Sequence, residues 1–261
     1  MVHIFRLSME TGELPDDWKS SNITAIFKKG SKSKMGNYRP VSLTCIICKI
    51  FESIIRHNTM EYFCSNGLFS GKQYGFIKGR STVMQMLKIL DQWTLGLEKG
   101  GYFDIIYTDF EKAFDKVPHR RLLNKLVSYG VRPEVVKWIE GFLIYRQQRT
   151  GVRGHYSGWR KVLSGIPQGS VLGPLLFVIY INDLPLDVEE GEAHIYLFAD
   201  DAKIIKQIDT SEDQKQLQRR CNRMQELSER WLLKLNVNKC MVLRIAIREV
   251  EAEYKYALKP S

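Results

Sequence analysis

The sequence predicts an α+β fold, built as one large domain or as two closely packed lobes. Residues 195–205 consist of two apolar, β-prone runs separated by a pair of adjacent aspartates, which is typical of a strand, a tight turn and a second strand. Residues 102–110 read as a further buried strand. Apolar residues recur at helical spacing in residues 43–64 and 210–231, so long helices are expected beside these strands.

Composition narrows the class of protein. The chain has 261 residues, of which 44% are hydrophobic, and this is enough to bury a substantial core. Its net charge is +10, which favours a polyanionic partner such as nucleic acid over a membrane. No apolar run has the length of a membrane span, and no secretory signal opens the chain. Five cysteines at irregular spacing indicate reduced thiols, so we expect a nuclear or cytoplasmic protein that is not secreted.

The adjacent aspartates of the predicted hairpin, Asp200 and Asp201, are its most informative feature. Two ionised carboxylates at about 6–7 Å repel by roughly 2–3 kcal/mol at an effective dielectric near 20. Two readings remain open on these residues alone, a solvated turn and a cation site. Oxygen ligands of this kind suit Mg²⁺, which takes one or two carboxylates and completes its shell with water and substrate phosphates.

A third carboxylate, Asp109, follows the strand at residues 102–110. A charge at the end of an apolar strand is costly unless it is paired, hydrogen-bonded or metal-bound. If Asp109 lies beside the Asp200–Asp201 hairpin, three carboxylates converge. Such a group suits two divalent ions that hold a polyphosphate for in-line displacement.

Three basic or glycine-rich stretches are candidate phosphate contacts. The loop at residues 28–40 offers Lys28, Lys29 and the forked donor Arg39, although a basic loop is more commonly just solvated. Lys78 and Arg80 lie in a loop that leads into a helix at 82–98, and a plain loop-to-helix entry explains them equally well. A strongly basic hairpin at residues 146–161 includes Arg146 and Arg149, and we count all four of these cations as candidate nucleic-acid contacts.

The loop at residues 164–174 is rich in glycine and proline and leads into a helix at 174–183. Its small residues let a ligand approach the backbone closely, and the N-terminus of the helix favours phosphate.

Six segments, in this order, resemble the reverse transcriptase domain of non-LTR (LINE-type) retrotransposons. They are residues 37–43 (NYRPVSL), 73–76 (QYGF), 109–115 (DFEKAFD), 165–170 (GIPQGS), 198–201 (FADD) and 236–240 (NVNKC). A group II intron-type maturase shares several of these motifs, but the amino-acid sequence of residues 112–115 and 165–174 fits the retrotransposon class better.

The resemblance implies a right-hand polymerase with fingers and palm, whose antiparallel palm sheet packs on helices. It implies fingers at residues 1–100, a palm at 101–245 and an irregular tail at 246–261. A thumb is expected to be absent, which marks the chain as a truncated copy or a fragment of a longer reading frame.

The resemblance also implies an activity, the copying of an RNA template into DNA from a DNA primer with dNTPs. Asp109, Asp200 and Asp201, with the carbonyl of Phe110, match the ligands of two Mg²⁺ ions, for which Mn²⁺ is an alternative. Arg39 matches the arginine on the triphosphate, assisted by Lys28 or Lys29. Gln168 and Gly169 match the loop beside the incoming nucleotide.

Two further residues match functional positions of the family but also have another explanation. Phe114 matches the steric gate that excludes the 2′-hydroxyl of an rNTP, whereas its spacing alone favours a core aromatic. Lys239 matches a lysine that protonates pyrophosphate, whereas a surface contact with phosphate explains it equally well. At the level of the whole chain, the alternative to a polymerase is a catalytically silent remnant that only binds nucleic acid. No membrane partner is expected, and no oligomeric state is predicted.

Overall fold

The computed structural model describes residues 1–188, 193–247 and 254–258. The helices of these residues are α1 (Val2–Thr11), α2 (Asp16–Lys19), α3 (Ile46–Ser65), α4 (Thr82–Glu98), α5 (Ala113–Lys116), α6 (His119–Ser128), α7 (Pro133–Leu143), α8 (Gly173–Tyr180), α9 (Leu184–Val188) and α10 (Ser211–Arg230). The strands are β1 (Ser20–Phe27), β2 (Tyr38–Leu43), β3 (Tyr102–Thr108), β4 (Gln147–Val152), β5 (His155–Tyr156), β6 (Arg160–Lys161), β7 (His194–Phe198), β8 (Asp201–Ile208) and β9 (Met241–Ile245).

The chain forms two compact units, and each is made of two stretches of sequence. The first unit comprises residues 1–68 and 114–180, and the second comprises residues 69–113 and 181–261. These limits differ from the fingers and palm limits expected from the sequence, which stay a prediction. Most of the expected tail at 246–261 lies outside the described residues, and residues 254–258 have no regular secondary structure.

The first unit contains a mixed sheet in the order β2-β1-β4-β5, with β6 also paired to β4. β1 pairs antiparallel with β2 and parallel with β4. The apolar face of α3 and the aromatic rings of α7 form the core beside it, where Trp138 is fully buried and lies edge-on to Phe51. The helix α1 was not expected from the sequence. It lacks a side-chain N-cap, and its position depends on contacts distant in sequence, such as Phe5 stacked on Phe51 at 4.5 Å between ring centroids.

The second unit contains an antiparallel sheet in the order β7-β8-β3-β9. The expected hairpin is formed by β7 and β8, and β3 lies in the middle between β8 and β9. Helices α4 and α10 pack on this sheet. The α+β class, with an antiparallel sheet packed on helices, is confirmed.

The long helix α10 begins with a capping box. The Thr210 hydroxyl accepts the backbone N–H of Asp213, and the Asp213 carboxylate accepts the backbone N–H of Thr210. The Asp213 carboxylate also lies 3.1 Å from the ammonium of Lys206, whose side chain is buried under the helix. The start of α10 is therefore tied to β8.

Within the described ranges, no helix is long and apolar enough to cross a membrane.

Candidate active site

The hairpin between β7 and β8 presents the adjacent aspartates. Phe198 pairs with Asp201, so Ala199 and Asp200 form a two-residue turn. Ala199 has a φ of 53°, in the left-handed region that the favoured hairpin turns require. Side chains point to alternate faces of a strand, but residues in a tight turn leave this alternation. The turn therefore allows both neighbouring carboxylates to stand at the same end of the hairpin.

Gln73, which is fully buried, holds this turn. Its Oε1 accepts the backbone N–H of Ala199 at 3.0 Å and that of Gly75 at 2.8 Å. The backbone of the Gln73 segment also pairs with β7, because Tyr74 donates its N–H to the carbonyl of Leu197 at 2.9 Å. The Gln73 segment thus fixes the end of β7 directly before Asp200.

The carboxylates of this unit interact with one another electrostatically. Burial raises the pKa of Asp200, and the negative charges of Asp201 and Asp109 raise it further, against a backbone hydrogen bond and the charge of Lys239. Burial and the charge of Asp109 also raise the pKa of Asp201, against the charges of Lys203 and Lys239. The charges of Asp109 and Asp201 thus act on the pKa of Asp200, and the charge of Asp109 acts on the pKa of Asp201.

Asp109 is engaged by the segment that follows α10. Its carboxylate Oδ2 lies 2.7 Å from Lys239 Nζ, and its carbonyl accepts the N–H of Asn236 at 2.7 Å. The next residue, Phe110, forms a β-bridge with Leu235, so its backbone is part of the same junction. The predicted site residues Asp109, Phe110 and Lys239 thus lie close together, at the junction between the end of β3 and the segment after α10. The sequence alone did not indicate that Lys239 would be an ion-pair partner of Asp109.

Asp109, Asp200 and Asp201 offer the oxygen donors that a hard divalent cation prefers. Across the described ranges, no three His, Cys, Asp or Glu side chains are arranged to form a metal site. The chemistry of the donors nevertheless fits a hard cation, because Asp200 and Asp201 carry raised pKa values caused partly by neighbouring carboxylates. The Lys239 ammonium supplies one positive charge against Asp109. These residues thus have the ligand type and the excess negative charge for a cation, without a closed cluster.

In the first unit, the predicted triphosphate contacts lie on and beside the β1–β2 hairpin. Lys28, Lys29 and Arg39 are exposed. The backbone N–H of Lys28 donates to the carbonyl of Asn37 at 2.8 Å, and Arg39 pairs with Ile26 across the two strands. Their cationic groups are accordingly available to an anionic ligand.

Gln168 and Gly169 lie in a loop fixed by backbone and side-chain contacts of the first unit. The side-chain amide of Gln168 donates to the Asp115 carboxylate at 3.0 Å. The backbone carbonyl of Gln168 accepts the backbone N–H of Ser42 at 2.7 Å. Gly169 has a φ of 101°, and a Cβ there would lie 2.9 Å from the carbonyl oxygen of Ser42. Any larger residue would displace the loop.

The ring of Phe114 is partly buried and stacks on that of Phe177, with 4.5 Å between centroids and 21° between planes. This contact agrees with the core-aromatic alternative. Phe114 is only partly buried, so its role as a steric gate stays a prediction.

Glu52 was not singled out from the sequence, yet its carboxylate supports the same loop. Its Oε2 accepts the backbone N–H groups of Val171 at 2.7 Å and Leu172 at 3.0 Å, directly before α8. The available signal was a single carboxylate on the apolar face of α3, in line with Cys48 and Ile55. Gln73 gave a weaker signal, because a glutamine in a loop is ordinary until its long-range partner is known.

The four predicted nucleic-acid contacts differ in their surroundings. Lys78 is exposed. Arg80 donates from Nη1 to the carbonyls of Ser70 at 2.5 Å and Gln73 at 2.6 Å, so one edge of its guanidinium is used to shape its own loop. Arg149 is partly exposed.

The prediction for Arg146 needs correction. Its side chain is only 1% exposed, and its Nη1 donates to the carbonyls of Trp18 and Phe142. Burial also lowers its pKa, against the charges of Cys48 and Glu52. A buried guanidinium with these partners stabilises the interior and has no access to a phosphate. Its place in a run of surface cations gave no sign of this.

Residues 26–256 match the model of the family described as "Reverse transcriptase (RNA-dependent DNA polymerase)", and the chain therefore belongs to the reverse transcriptase family. Its relatives are of the non-LTR type, as the sequence motifs predicted. It is 28% identical over 258 residues to the probable RNA-directed DNA polymerase from transposon BS of Drosophila melanogaster, covering 92% of this chain and 28% of that protein. It is 29% identical over 252 residues to the RNA-directed DNA polymerase from mobile element jockey of the same species, covering 94% and 27%. The chain thus spans about a quarter of the length of these relatives.

Solved structures of telomerase share the fold. Apo telomerase of Candida tropicalis, truncated from its C-terminal domain, has a TM-score of 0.65 and 12% identity, covering 93% of this chain and 52% of that chain. Telomerase of the same species in complex with the TWJ fragment of telomeric RNA has a TM-score of 0.64 and 12% identity, covering 89% and 42%. At this identity the likeness establishes the polymerase fold.

Proposed function

We propose that this chain carries the nucleotidyl-transfer site of an RNA-directed DNA polymerase, which extends a DNA primer along an RNA template. The observation that supports this most strongly is the electrostatic coupling of Asp109, Asp200 and Asp201 within one unit of a reverse transcriptase-family chain. In the reaction, the primer 3′-oxygen bonds to the α-phosphorus of a dNTP, the bond to pyrophosphate breaks, and the hydroxyl proton is released.

Two Mg²⁺ ions would be held by the carboxylates of Asp109, Asp200 and Asp201 and by the carbonyl of Phe110, with Mn²⁺ as an alternative. When bound, such ions lower the pKa of the primer hydroxyl and neutralise the triphosphate. The Lys239 ammonium lies 2.7 Å from Asp109 Oδ2, so a bound ion would share this carboxylate with it or compete with it. In this position Lys239 would be the residue to contact or protonate pyrophosphate.

The remaining roles belong to residues of the first unit. Arg39 binds the triphosphate as a forked donor, assisted by Lys28 or Lys29. Gln168 and Gly169 form the loop beside the incoming nucleotide and the template. Phe114 excludes the 2′-hydroxyl of an rNTP. The exposed cations Lys28, Lys29 and Arg39 and the partly accessible ring of Phe114 support these assignments.

Primer extension on an RNA template with dNTPs and Mg²⁺ tests the proposal. We expect labelled product from the parent chain, none from Asp200→Ala, and unchanged product from the control Asp91→Asn, an exposed aspartate of α4. Nucleic-acid binding without product at low salt would contradict the proposal and favour a catalytically silent binding protein. Product that persists in Asp200→Ala would remove the carboxylates from the mechanism.

A further inference from the structure

The guanidinium of Arg149 lies between two aromatic rings on the surface of the first unit. Its central carbon is 4.3 Å from the ring centroid of Tyr156 and 4.6 Å from that of Trp159. On β1, Asn22 is its register partner and accepts its Nε–H at 2.8 Å. Packing and this hydrogen bond therefore fix the plane of the guanidinium.

The backbone around this stack holds the rings in place. Arg153 and Gly154, with φ values of 50° and 82°, form the two-residue turn between β4 and β5, as a type I′ hairpin requires. A Cβ on Gly151 would lie 2.9 Å from a ring carbon of Tyr156. Glycine thus lets the tyrosine ring lie directly across β4, beside Arg149 two residues away on the same face.

Both rings remain substantially open to solvent. Tyr156 is 55% exposed and Trp159 is 44% exposed. The 15 residues from 147 to 161 include four cations, Arg149, Arg153, Arg160 and Lys161, and no acidic residue. Arg153, Arg160 and Lys161 are exposed. This aromatic pair differs from core aromatics in its exposure, and it differs from a solvated run of charges because an arginine is packed against its rings.

We propose that Tyr156, Arg149 and Trp159 form a stacking site for the bases of single-stranded RNA, whose phosphates are bound by the neighbouring cations. The site deepens the proposed function, on which it rests, by naming how a template strand is held. Unpaired bases offer open π faces that stack on aromatic rings and on arginine planes, whereas a duplex hides them. The preformed stack avoids the entropy of ordering these side chains when RNA binds.

Equilibrium binding to three fluorescent ligands tests this site. They are a 12-nucleotide single-stranded RNA, a strand of equal length with abasic positions, and a blunt RNA duplex. We expect the parent chain to prefer the intact strand over the abasic strand by about tenfold or more, as stacking of one or two bases predicts. Equal affinity for the intact and abasic strands would overturn the proposal, because it would show recognition of phosphates alone.

Variants locate the effect. Trp159→Leu and Tyr156→Leu should each lose most of the preference for the intact strand and keep their affinity for the abasic strand. Trp159→Phe should retain the preference. The control Tyr145→Leu changes another exposed tyrosine, which lies outside the stack, and should leave the preference unchanged. A preference that survives in both leucine variants, with folding confirmed by urea titration, would exclude this site.

The assay contains no dNTP, so its outcome is separate from that of the polymerase reaction. Asp200→Ala should show the same preference as the parent chain. If primer extension fails while the preference persists and depends on Trp159, the proposed activity is wrong and the single-strand site stands. If primer extension succeeds and the parent chain shows no preference for the intact strand, the single-strand site is wrong and the proposed activity stands.

Discussion

The position that a Cβ of Gly75 would occupy lies 2.4 Å from the backbone nitrogen of Ala199, the residue before Asp200. Real Cβ atoms do not approach backbone atoms this closely, so only glycine fits at residue 75. The φ of Gly75 is not in the left-handed region, and the requirement is therefore one of space alone. The QYGF segment and the aspartate hairpin are thus in direct contact.

This relationship predicts that Gly75→Ala displaces the hairpin turn. We expect a loss of about 1–3 kcal/mol in the free energy of unfolding, as for other overpacked positions, and at least a tenfold lower rate of nucleotide incorporation. The matched control is Gly71→Ala, because a Cβ at residue 71 meets no atom of the described residues within 4 Å. Urea unfolding and incorporation rates measure both effects. Equal behaviour of the two variants would show that the turn tolerates the added methyl group.

Glu52 predicts a pH dependence of stability. Burial raises its pKa, while the N–H groups of Leu172 and Val171 and the charge of Arg146 act against this. The folded chain then binds the Glu52 proton more tightly than the unfolded chain does. The stability that this proton contributes is present in full below the ordinary glutamate pKa of about 4.3 and is lost as the pH rises through the folded pKa.

Glu52→Gln removes the titrating group. The free energy of unfolding of the variant, relative to the parent chain, should therefore increase as the pH is raised from about 4.5 to about 7.5. Urea unfolding of both proteins at the two pH values provides the measurement. A difference between the proteins that does not change with pH would mean that the Glu52 pKa is not raised by folding.

Phe114→Ala tests the gate. Loss of the stack on Phe177 should cost roughly 1–3 kcal/mol of stability, less than the roughly 3–5 kcal/mol of a fully buried phenylalanine. If the ring also excludes the 2′-hydroxyl, the ratio of rNTP to dNTP incorporation should rise at least tenfold. Single-nucleotide incorporation with matched rNTP and dNTP measures this ratio. A stability loss with an unchanged ratio would leave Phe114 as a core residue only.

The correction at Arg146 predicts opposite behaviour for two arginines of the same segment. Arg146→Met should lower the free energy of unfolding by about 1–3 kcal/mol, because the carbonyls of Trp18 and Phe142 lose a buried donor, and it should leave the salt dependence of RNA binding unchanged.

Arg160→Met is the matched exposed variant. It should leave stability within about 0.5 kcal/mol and reduce the slope of log affinity against log salt by about 1. Fluorescence titrations at several salt concentrations, with urea unfolding, check both variants. The assignment of Arg146 to the interior fails if its variant changes the salt slope and the Arg160 variant does not.

The sequence predicted the local features of this fold well. The periodicity of α3 and α10, the entry from a loop into α4 and the β7–β8 hairpin depend on neighbouring residues, and these elements form close to the predicted limits. The features that were missed depend on long-range contacts. Glu52 bonds to residues about 120 positions away, and Gln73 to one 126 positions away, so no local pattern identifies them.

The same reason explains the error at Arg146 and the missed helix α1. Nothing in its own segment distinguishes Arg146 from Arg149 or Arg160, because its partner Trp18 lies 128 positions earlier in the chain. The three aspartates were selected as candidates from their strand-end positions and the family motifs, and their catalytic role stays a prediction. The effect of the Asp109 charge on the pKa values of Asp200 and Asp201 required the structure.

We propose that Asp109, Asp200 and Asp201 act together in nucleotidyl transfer. The most direct measurement is single-nucleotide addition to a primer on an RNA template with Mg²⁺, made with Asp109→Asn, Asp200→Asn, Asp201→Asn and the exposed control Asp91→Asn. We expect Asp109→Asn and Asp200→Asn to lower the rate by at least a thousandfold, Asp201→Asn to lower it strongly, and Asp91→Asn to match the parent chain. Rates in the first two variants within tenfold of the parent would contradict this proposal.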